Sequence, residues 1–324
     1  MCARLCYLYR LAGGILKRRG VALVVLGSLL WGTDSLFRRP LSGGLSPVTI
    51  VYLEHLVLSL VVLPWVVRAR AEIARLEPRA WLSILFVAAG GSVFATSLFT
   101  YAIKYGNPSV TVLLQKTQPL WAILLARAVL SERPGGGFWH WVAPAMAGAY
   151  FVSVPDWRNG LYFDLRQPLA LAAALGAAAL WGASTVLGRY ATARVSTVPL
   201  TALRFLLALP ILVVLYWLQP ALERRLPSSP ADAGMLVAMA LGPGLAALLL
   251  YYRGLRSTIA PVASIAELAF PLTAVALNWI FLDIRLTPAQ LAGGVLLLVS
   301  VTGLGYFGSG AERPEAPQGG PSIE

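Results

Sequence analysis

The chain has 324 residues, of which 58% are hydrophobic and only 12% are charged. Soluble domains are about 45–50% apolar and about 25% charged, so this composition excludes a soluble globular protein and indicates a membrane protein. The formal net charge of +12 lies in short basic clusters between apolar runs. That distribution is typical of a multi-spanning protein and predicts no nucleic-acid partner.

Ten apolar runs of membrane-spanning length follow one another along the chain and are joined by short loops. We therefore predict an all-α membrane protein with ten transmembrane helices and no soluble domain. The runs cover residues 21–37, 48–67, 80–103, 108–130, 138–154, 168–187, 198–218, 233–252, 261–281 and 288–307.

The two halves of the chain repeat each other. Trp31-Gly32 recurs as Trp181-Gly182, and Pro119-Leu120 recurs as Pro271-Leu272. Five spans per copy is an odd number, so the second copy must enter the membrane from the opposite side. This predicts two inverted five-helix repeats, 21–155 and 168–307, joined by an outer loop, 156–167, with a basic tail, 1–20, and a disordered tail, 308–324.

The basic residues predict the orientation. Of the 26 Lys and Arg residues, 16 fall in the tails and alternate loops that share a side with the N-terminus, and 8 fall in the other loops. Cytoplasmic loops carry the excess of positive charge. We therefore expect both termini in the cytoplasm and the chain in the inner (plasma) membrane of a bacterial cell.

Two matched spans are interrupted by proline. Gln115 lies four residues before Pro119, and Glu267 lies four residues before Pro271. Proline has no N–H to donate to the carbonyl four residues earlier, so both helices should kink there and free a carbonyl. Polar side chains beside two such breaks predict a polar cavity between the halves.

Five ionisable residues fall within or at the ends of the spans: Asp34, Glu54, Lys116, Arg204 and Glu267. Each would cost ~2.5–3.5 kcal/mol if it faced lipid at mid-bilayer, so they should face protein, water or each other. Glu267 either meets a cationic substrate group and exchanges a proton, or forms a fixed ion pair with Lys116 or Arg204. Lys116 either receives a substrate carboxylate or neutralises Glu267 or Glu54.

The other polar residues favour structural roles. Asp34 is expected at the membrane interface near Arg38 and Arg39. Arg204 is expected to bond to carbonyls or to Glu54. Adjacent helical residues point about 100° apart, so Glu54 and His55 do not form one proton relay.

These segments together resemble the EamA family of the drug/metabolite transporter superfamily, over residues 21 to 307. The resemblance implies a ten-span carrier for small metabolites, often an exporter of amino acids, amines or toxic compounds, that works without ATP. It also implies a central cavity lined mainly by spans 1, 3, 4, 6, 8 and 9. One departure is Glu54-His55, which stands where the second repeat has Arg204-Phe205. The motifs that carry the resemblance are the two Trp-Gly pairs, Arg204-Phe205, Pro119-Leu120 up to Ser131-Glu132, Ala266 to Leu272 with Asn278 and Asp283, and Leu291 to Gly294.

The predicted site combines polar residues of the interrupted spans with aromatic residues. The aromatic side chains line a cavity for flat or cationic substrates, or else they lie at the membrane interface. The predicted substrate-binding residues are Gln115, Lys116, Gln118, Glu267, Asn278, Trp31, Trp181, Tyr101 and Tyr252.

No catalytic, metal-binding or phosphate-loop motif appears, so we expect neither an enzyme nor a cofactor nor ATP-driven transport. The predicted function is a secondary carrier that exports an amino acid, an amine or a drug-like compound by alternating access, with proton coupling through Glu267. Its partners would be the small-molecule substrate, membrane lipid and protons. The alternatives are an uncoupled facilitator, a lipid-carrier translocase and a partner subunit without transport activity.

Overall fold

The structure, a computed structural model, describes residues 19–106, 108–153, 168–282 and 286–307. The predicted outer loop, the C-terminal tail and nearly all of the N-terminal tail lie outside these ranges. Within them, every regular element is a helix. The α-helices are α1 (19–31), α2 (Asp34–Leu41), α3 (Pro47–Arg68), α4 (Arg70–Ile73), α5 (Pro78–Phe86), α6 (Ala95–Tyr105), α7 (Pro108–Gln115), α8 (Gln118–Leu130), α9 (Trp139–Ser153), α10 (Pro168–Thr192), α11 (Thr197–Leu218), α12 (Pro230–Met239), α13 (Ala247–Leu255), α14 (Ala260–Ala266), α15 (Phe270–Leu282) and α16 (Pro288–Phe307).

The chain is a multi-pass membrane protein, and seven of its described helices are long and apolar enough to cross a membrane. The other three predicted spans are not continuous helices of that length. Two of them are divided, into α7 and α8 and into α14 and α15, and the described part of α9 has 15 residues. The seven are Arg19–Arg38, Pro47–Arg68, Pro78–Ala102, Pro168–Thr192, Thr197–Leu218, Pro230–Leu255 and Pro288–Tyr306.

The second helix of each repeat packs against its counterpart. The rings of Tyr52 and Tyr216 stack with centroids 4.5 Å apart, and His55 meets the ring of Phe205 edge-on at 5.5 Å. Residue numbers rise along α3 as they fall along α11, so these two corresponding helices run antiparallel.

The last helices of the two repeats, α9 and α16, pack in the same way. The amide of Gln290 donates to the carbonyl of Val152 at 3.3 Å, near one end of the pair. Near the other end, a β-carbon at Gly303 would lie 2.5 Å from the ring of Trp141. This pair is antiparallel as well, and Gly148 permits the close approach of the two backbones, because a β-carbon there would lie 2.8 Å from the carbonyl oxygen of Gly293.

Matching helices of the two repeats also contain π-helical segments. Val87–Phe94 lies between α5 and α6, and Ala240–Ala246 lies between α12 and α13. Glycines weaken the regular α-helix in both segments, and Pro243 additionally removes a backbone donor from the second. π-Helical turns are rare and are frequent at functional sites, and both segments contribute to the cavity described below.

Three carboxylates of the first repeat tie one end of the helices to the second repeat. Glu72 accepts hydrogen bonds from the backbone and side chain of Ser196. Glu77 accepts from Arg194 at 2.6 Å. Glu132 accepts from Arg189 at 3.1 Å and from the backbone amide that begins α14 at 2.8 Å. These bonds join the halves at the end of the bundle where α3 and α10 finish.

Candidate functional site

Both proline-containing spans are interrupted beside their polar residues. Helix α7 ends at Gln115, and α8 begins at Gln118 after a two-residue turn. Helix α14 ends at Ala266 and continues as a 3₁₀ turn over Glu267–Ala269 before α15 begins. The carbonyl of Glu267 is not left free as the sequence suggested, because the tighter turn lets it accept from the amide of Phe270.

Each Trp-Gly pair lies against the interruption in the other repeat. A β-carbon at Gly32 would lie 2.5 Å from the carbonyl oxygen of Phe270, and one at Gly182 would lie 2.9 Å from the carbonyl oxygen of Gln118. Only glycine allows backbones to approach so closely. The first helix of each repeat therefore crosses the broken helix of the other, and this crossing brings Trp31 and Trp181 to the centre of the molecule.

A cavity of about 340 Å³ lies where these helices cross. Its volume is at the lower end of the range of about 300–1,000 Å³ that is usual for small-molecule sites. Six of the nine predicted substrate-binding residues line it, and so does Pro119. The six are Trp31, Gln115, Lys116, Gln118, Trp181 and Glu267.

Glu267 is held by neutral donors from three different helices. Its carboxylate accepts from the amide of Gln118 at 2.7 Å, the hydroxyl of Tyr251 at 2.7 Å and the hydroxyl of Thr185 at 3.1 Å. Neither Lys116 nor Arg204 lies within ion-pairing distance of it among the described residues. The structure therefore contradicts the interpretation of Glu267 as half of a fixed ion pair with either cation.

Lys116 is the first of the two residues between the halves of the first broken helix. It is 4% exposed, and its ammonium group lies 3.9 Å from the centroid of the Phe270 ring. Among the residues described, no group accepts a hydrogen bond from this ammonium. Lys116 thus neutralises neither Glu267 nor Glu54 in this structure.

An ion cluster forms another part of the cavity wall. Arg38 contacts both oxygens of Asp34, at 2.5 and 2.8 Å, and Glu54 at 3.1 Å. Arg38, which we expected beside Asp34 at the membrane interface, lines the cavity together with both acids. Arg38 therefore pairs with Glu54, the residue that aligns with Arg204 of the second repeat.

Arg204 bonds to neutral groups rather than to Glu54. Its guanidinium donates to the hydroxyl of Ser92 at 2.8 Å and to the hydroxyl of Tyr252 at 2.9 Å. Because Tyr252 is fully buried behind Arg204, it is not among the residues that line the cavity. Its neighbour Tyr251 lines the cavity instead, with its ring 4.9 Å from that of Trp31.

The remaining predicted residues lie elsewhere. Tyr101 is 40% exposed and packs on Tyr105 away from the cavity. Asn278 falls in α15, and its side chain is outside the described part of the structure. Within the described ranges, no three His, Cys, Asp or Glu side chains are grouped so that they could hold a metal ion.

Trp181 is fixed by a π-helical segment. Its indole N–H donates to the carbonyl of Gly91 at 3.0 Å. The carbonyl of the preceding residue, Gly90, closes the last π turn by accepting from the amide of Ala95. Where the hydrogen bonding changes from the five-residue spacing of a π-helix to the four-residue spacing of an α-helix, one carbonyl is left without a helical partner. That carbonyl is the one of Gly91, and it accepts a side-chain donor instead. The irregular helix therefore orients one aromatic wall of the cavity.

The sequence profile of the EamA-like transporter family matches the chain twice, over residues 18–154 and 168–306. The chain belongs to the EamA-like transporter family. This confirms the resemblance inferred from the motifs, and it makes the chain a transporter and not an enzyme.

Known proteins are similar to this EamA-family transporter in sequence and in fold. The riboflavin transporter ImpX of Fusobacterium nucleatum subsp. nucleatum is 28% identical over 291 residues, which are 87% of this chain and 96% of ImpX. One solved crystal structure matches with a TM-score of 0.74 and 18% identity, covering 88% of this chain and 95% of that one. At that identity the crystal structure shows a shared fold alone.

Proposed function

We propose that this transporter is a secondary carrier that binds a small metabolite in the central cavity and moves it by alternating access. The observation that carries the proposal is the cavity itself, which lies where two interrupted helices from the two repeats meet. Binding sites formed by broken helices at a repeat interface are a feature of secondary transporters. Residues from both repeats line the cavity, so a movement of one repeat against the other would change access to it.

We further propose ten membrane crossings in two inverted repeats. The seven long helices, the two interrupted pairs α7/α8 and α14/α15, and the short helix α9 supply ten crossings. The antiparallel packing of α3 with α11 and of α9 with α16 supports the inversion. The distribution of Lys and Arg supports cytoplasmic termini and an inner-membrane location.

Riboflavin is the first substrate to test. The similarity to a riboflavin transporter motivates this choice, and the cavity lining is consistent with it. Trp31, Trp181 and Phe270 offer aromatic faces on which a flat ring can stack, and Gln115 and Gln118 offer amides that both donate and accept. Amino acids and amines are the second group to test, because the cavity holds charges of both signs.

The decisive experiment is counterflow in proteoliposomes that contain the purified full-length chain. Labelled riboflavin should exchange, and Trp181→Ala should reduce its rate at least tenfold by removing one aromatic wall. Trp217→Ala is the matched control, since Trp217 is 64% exposed and lies outside the cavity, and it should retain the wild-type rate. Background flux for riboflavin and for the whole panel of amino acids and amines would contradict carrier activity.

We propose proton coupling through Glu267 and export as the physiological direction. The neutral partners of Glu267 support coupling, because no cation of the described residues pairs with the carboxylate and holds it in its ionised form. An imposed pH gradient should therefore drive accumulation, whereas an uncoupled facilitator would show none. Everted vesicles should accumulate substrate if the carrier exports. A lipid-carrier translocase would instead move labelled lipid and leave small-molecule flux at background.

A further inference from the structure

Two cations line the cavity without a carboxylate partner among the described residues. Arg204 donates hydrogen bonds to Ser92 and Tyr252. Lys116 has none, although it is almost fully buried and borders the cavity. A buried ammonium without an acceptor is costly, so a native protein that keeps one needs a reason.

Lys116 borders the cavity, although its ammonium nitrogen is itself enclosed by the surrounding atoms. The Phe270 ring covers one side of the ammonium, at 3.9 Å, which offsets part of the cost of burial. Glu267, one of the two carboxylates that Lys116 was expected to neutralise, already accepts hydrogen bonds from three donors. Asp34 and Glu54 are both occupied by Arg38. The acids of the cavity are thus satisfied without Lys116.

We propose that Lys116 is an anion subsite, and that the transported metabolite carries a carboxylate or a phosphate monoester that this ammonium receives. The inference rests on the proposed carrier function and narrows its substrate class. The aromatic walls hold the ring or apolar part of the metabolite, and Lys116 holds its anionic end. Riboflavin has no group that is ionised at neutral pH, so it would leave Lys116 unpaired, whereas flavin mononucleotide would not.

The test compares ligand pairs that differ by one anionic group. Equilibrium binding to the detergent-purified full chain is measured for riboflavin against flavin mononucleotide and for tyramine against tyrosine. A charge-assisted hydrogen bond corresponds to a factor of about 10–100 in affinity. Wild-type protein should therefore prefer the anionic member of at least one pair by about that factor, and the pair that responds distinguishes a phosphate from a carboxylate.

The variant Lys116→Gln should reduce this preference at least tenfold and change the affinity for the uncharged member less than about threefold. Arg127→Gln is the matched control: it removes one charge from an exposed position on α8 and should leave the preference unchanged. Lys116→Arg keeps the positive charge and should retain part of the preference for the anionic ligand. In wild-type protein, sodium phosphate or acetate should compete with the anionic ligand more strongly than sodium chloride at equal ionic strength.

The inference is wrong if wild-type protein shows no preference in either pair, or if Lys116→Gln keeps the wild-type preference. A different result would show that the anion subsite exists but that the chain is not a carrier. In that case ligands bind with the expected dependence on Lys116, but proteoliposomes show no flux above background. Binding and flux measured on the same preparations therefore separate the two.

Discussion

Glu267→Gln offers a clean separation of folding from proton coupling. The amide is nearly isosteric with the carboxylate, and its oxygen can accept from Tyr251 and Thr185 as the carboxylate does. Gln118 can turn its own amide so that its oxygen accepts from the new NH₂ group. All the hydrogen bonds are thus kept, and the expected loss of stability is below about 1 kcal/mol.

Glu267→Ala shows how much stability is lost when the carboxylate is removed altogether. When the carboxylate is removed, Tyr251 still donates to Thr185 at 3.2 Å, and Thr185 can donate to the carbonyl of Trp181 at 3.3 Å. Only the Gln118 amide loses its acceptor, and it faces the cavity. The expected cost is therefore about 1–2 kcal/mol, the penalty for one unsatisfied polar group. Both variants should fold, and reversible unfolding in mixed micelles measures the difference.

The functional readout is accumulation driven by a pH gradient in proteoliposomes, alongside counterflow without a gradient. Glu267→Gln cannot exchange a proton at this site, so it should lose gradient-driven accumulation while counterflow stays within a few-fold of wild type. Accumulation with an unchanged pH dependence would refute proton coupling through Glu267. A loss of stability above about 2 kcal/mol would instead refute the hydrogen-bond accounting and make Glu267 a structural anchor.

Three further substitutions test the packing and the ion pairs. Gly182→Ala places a methyl group 2.9 Å from a backbone carbonyl and should lower the unfolding free energy by about 1–3 kcal/mol. Gly44→Ala is the control and should be neutral, because a methyl group there would meet no atom within 4 Å. Equal effects of the two substitutions would contradict the crossing geometry. Arg38→Gln leaves two acids unpaired and should lower the unfolding free energy by about 2 kcal/mol. This is less than the cost of about 3–5 kcal/mol for a fully buried pair, because the Arg38 side chain is 32% exposed. Adding Glu54→Gln should restore part of the stability, which is the check. Arg189→Gln breaks a partly exposed ion pair at the end of the bundle where α3 and α10 finish, and it should show a coupling energy of about 1 kcal/mol with Glu132→Gln. Zero coupling would rule out the pair as a tie between the repeats.

The family and the helical membrane class are predictable from the sequence, because apolar run length and repeated motifs carry them. The number of continuous helices is not, since hydropathy counts apolar residues and does not register where backbone hydrogen bonding stops. Residues 108–130 and 261–281 look like ordinary spans by composition, yet each is interrupted. The prolines indicate where the interruption falls, but not that a 3₁₀ turn reuses the carbonyl of Glu267.

The candidate site is predictable where local spacing determines which residues meet. One interruption is bordered by Gln115, Lys116 and Gln118, and the other is bordered by Glu267. Because the two interrupted helices meet at the centre of the molecule, these four side chains line the same cavity. Arg38 was missed because it lies past the apolar run, although its spacing of four residues from Asp34 is a usable signal for an ion pair. The choice between Tyr251 and Tyr252 depends on the rotation of one helix, and adjacent residues on a helix differ by about 100°.

The bond from Trp181 to Gly91 links a side chain of α10 to the backbone of the π-helical segment in the other repeat. Any movement that separates these two helices must either break the bond or carry the indole along with the segment. In both cases the polarity around the ring changes, while Trp217 on the exposed surface keeps its surroundings. Trp181 is therefore an intrinsic optical reporter of motion between the repeats in a variant whose other nine tryptophans are replaced by phenylalanine.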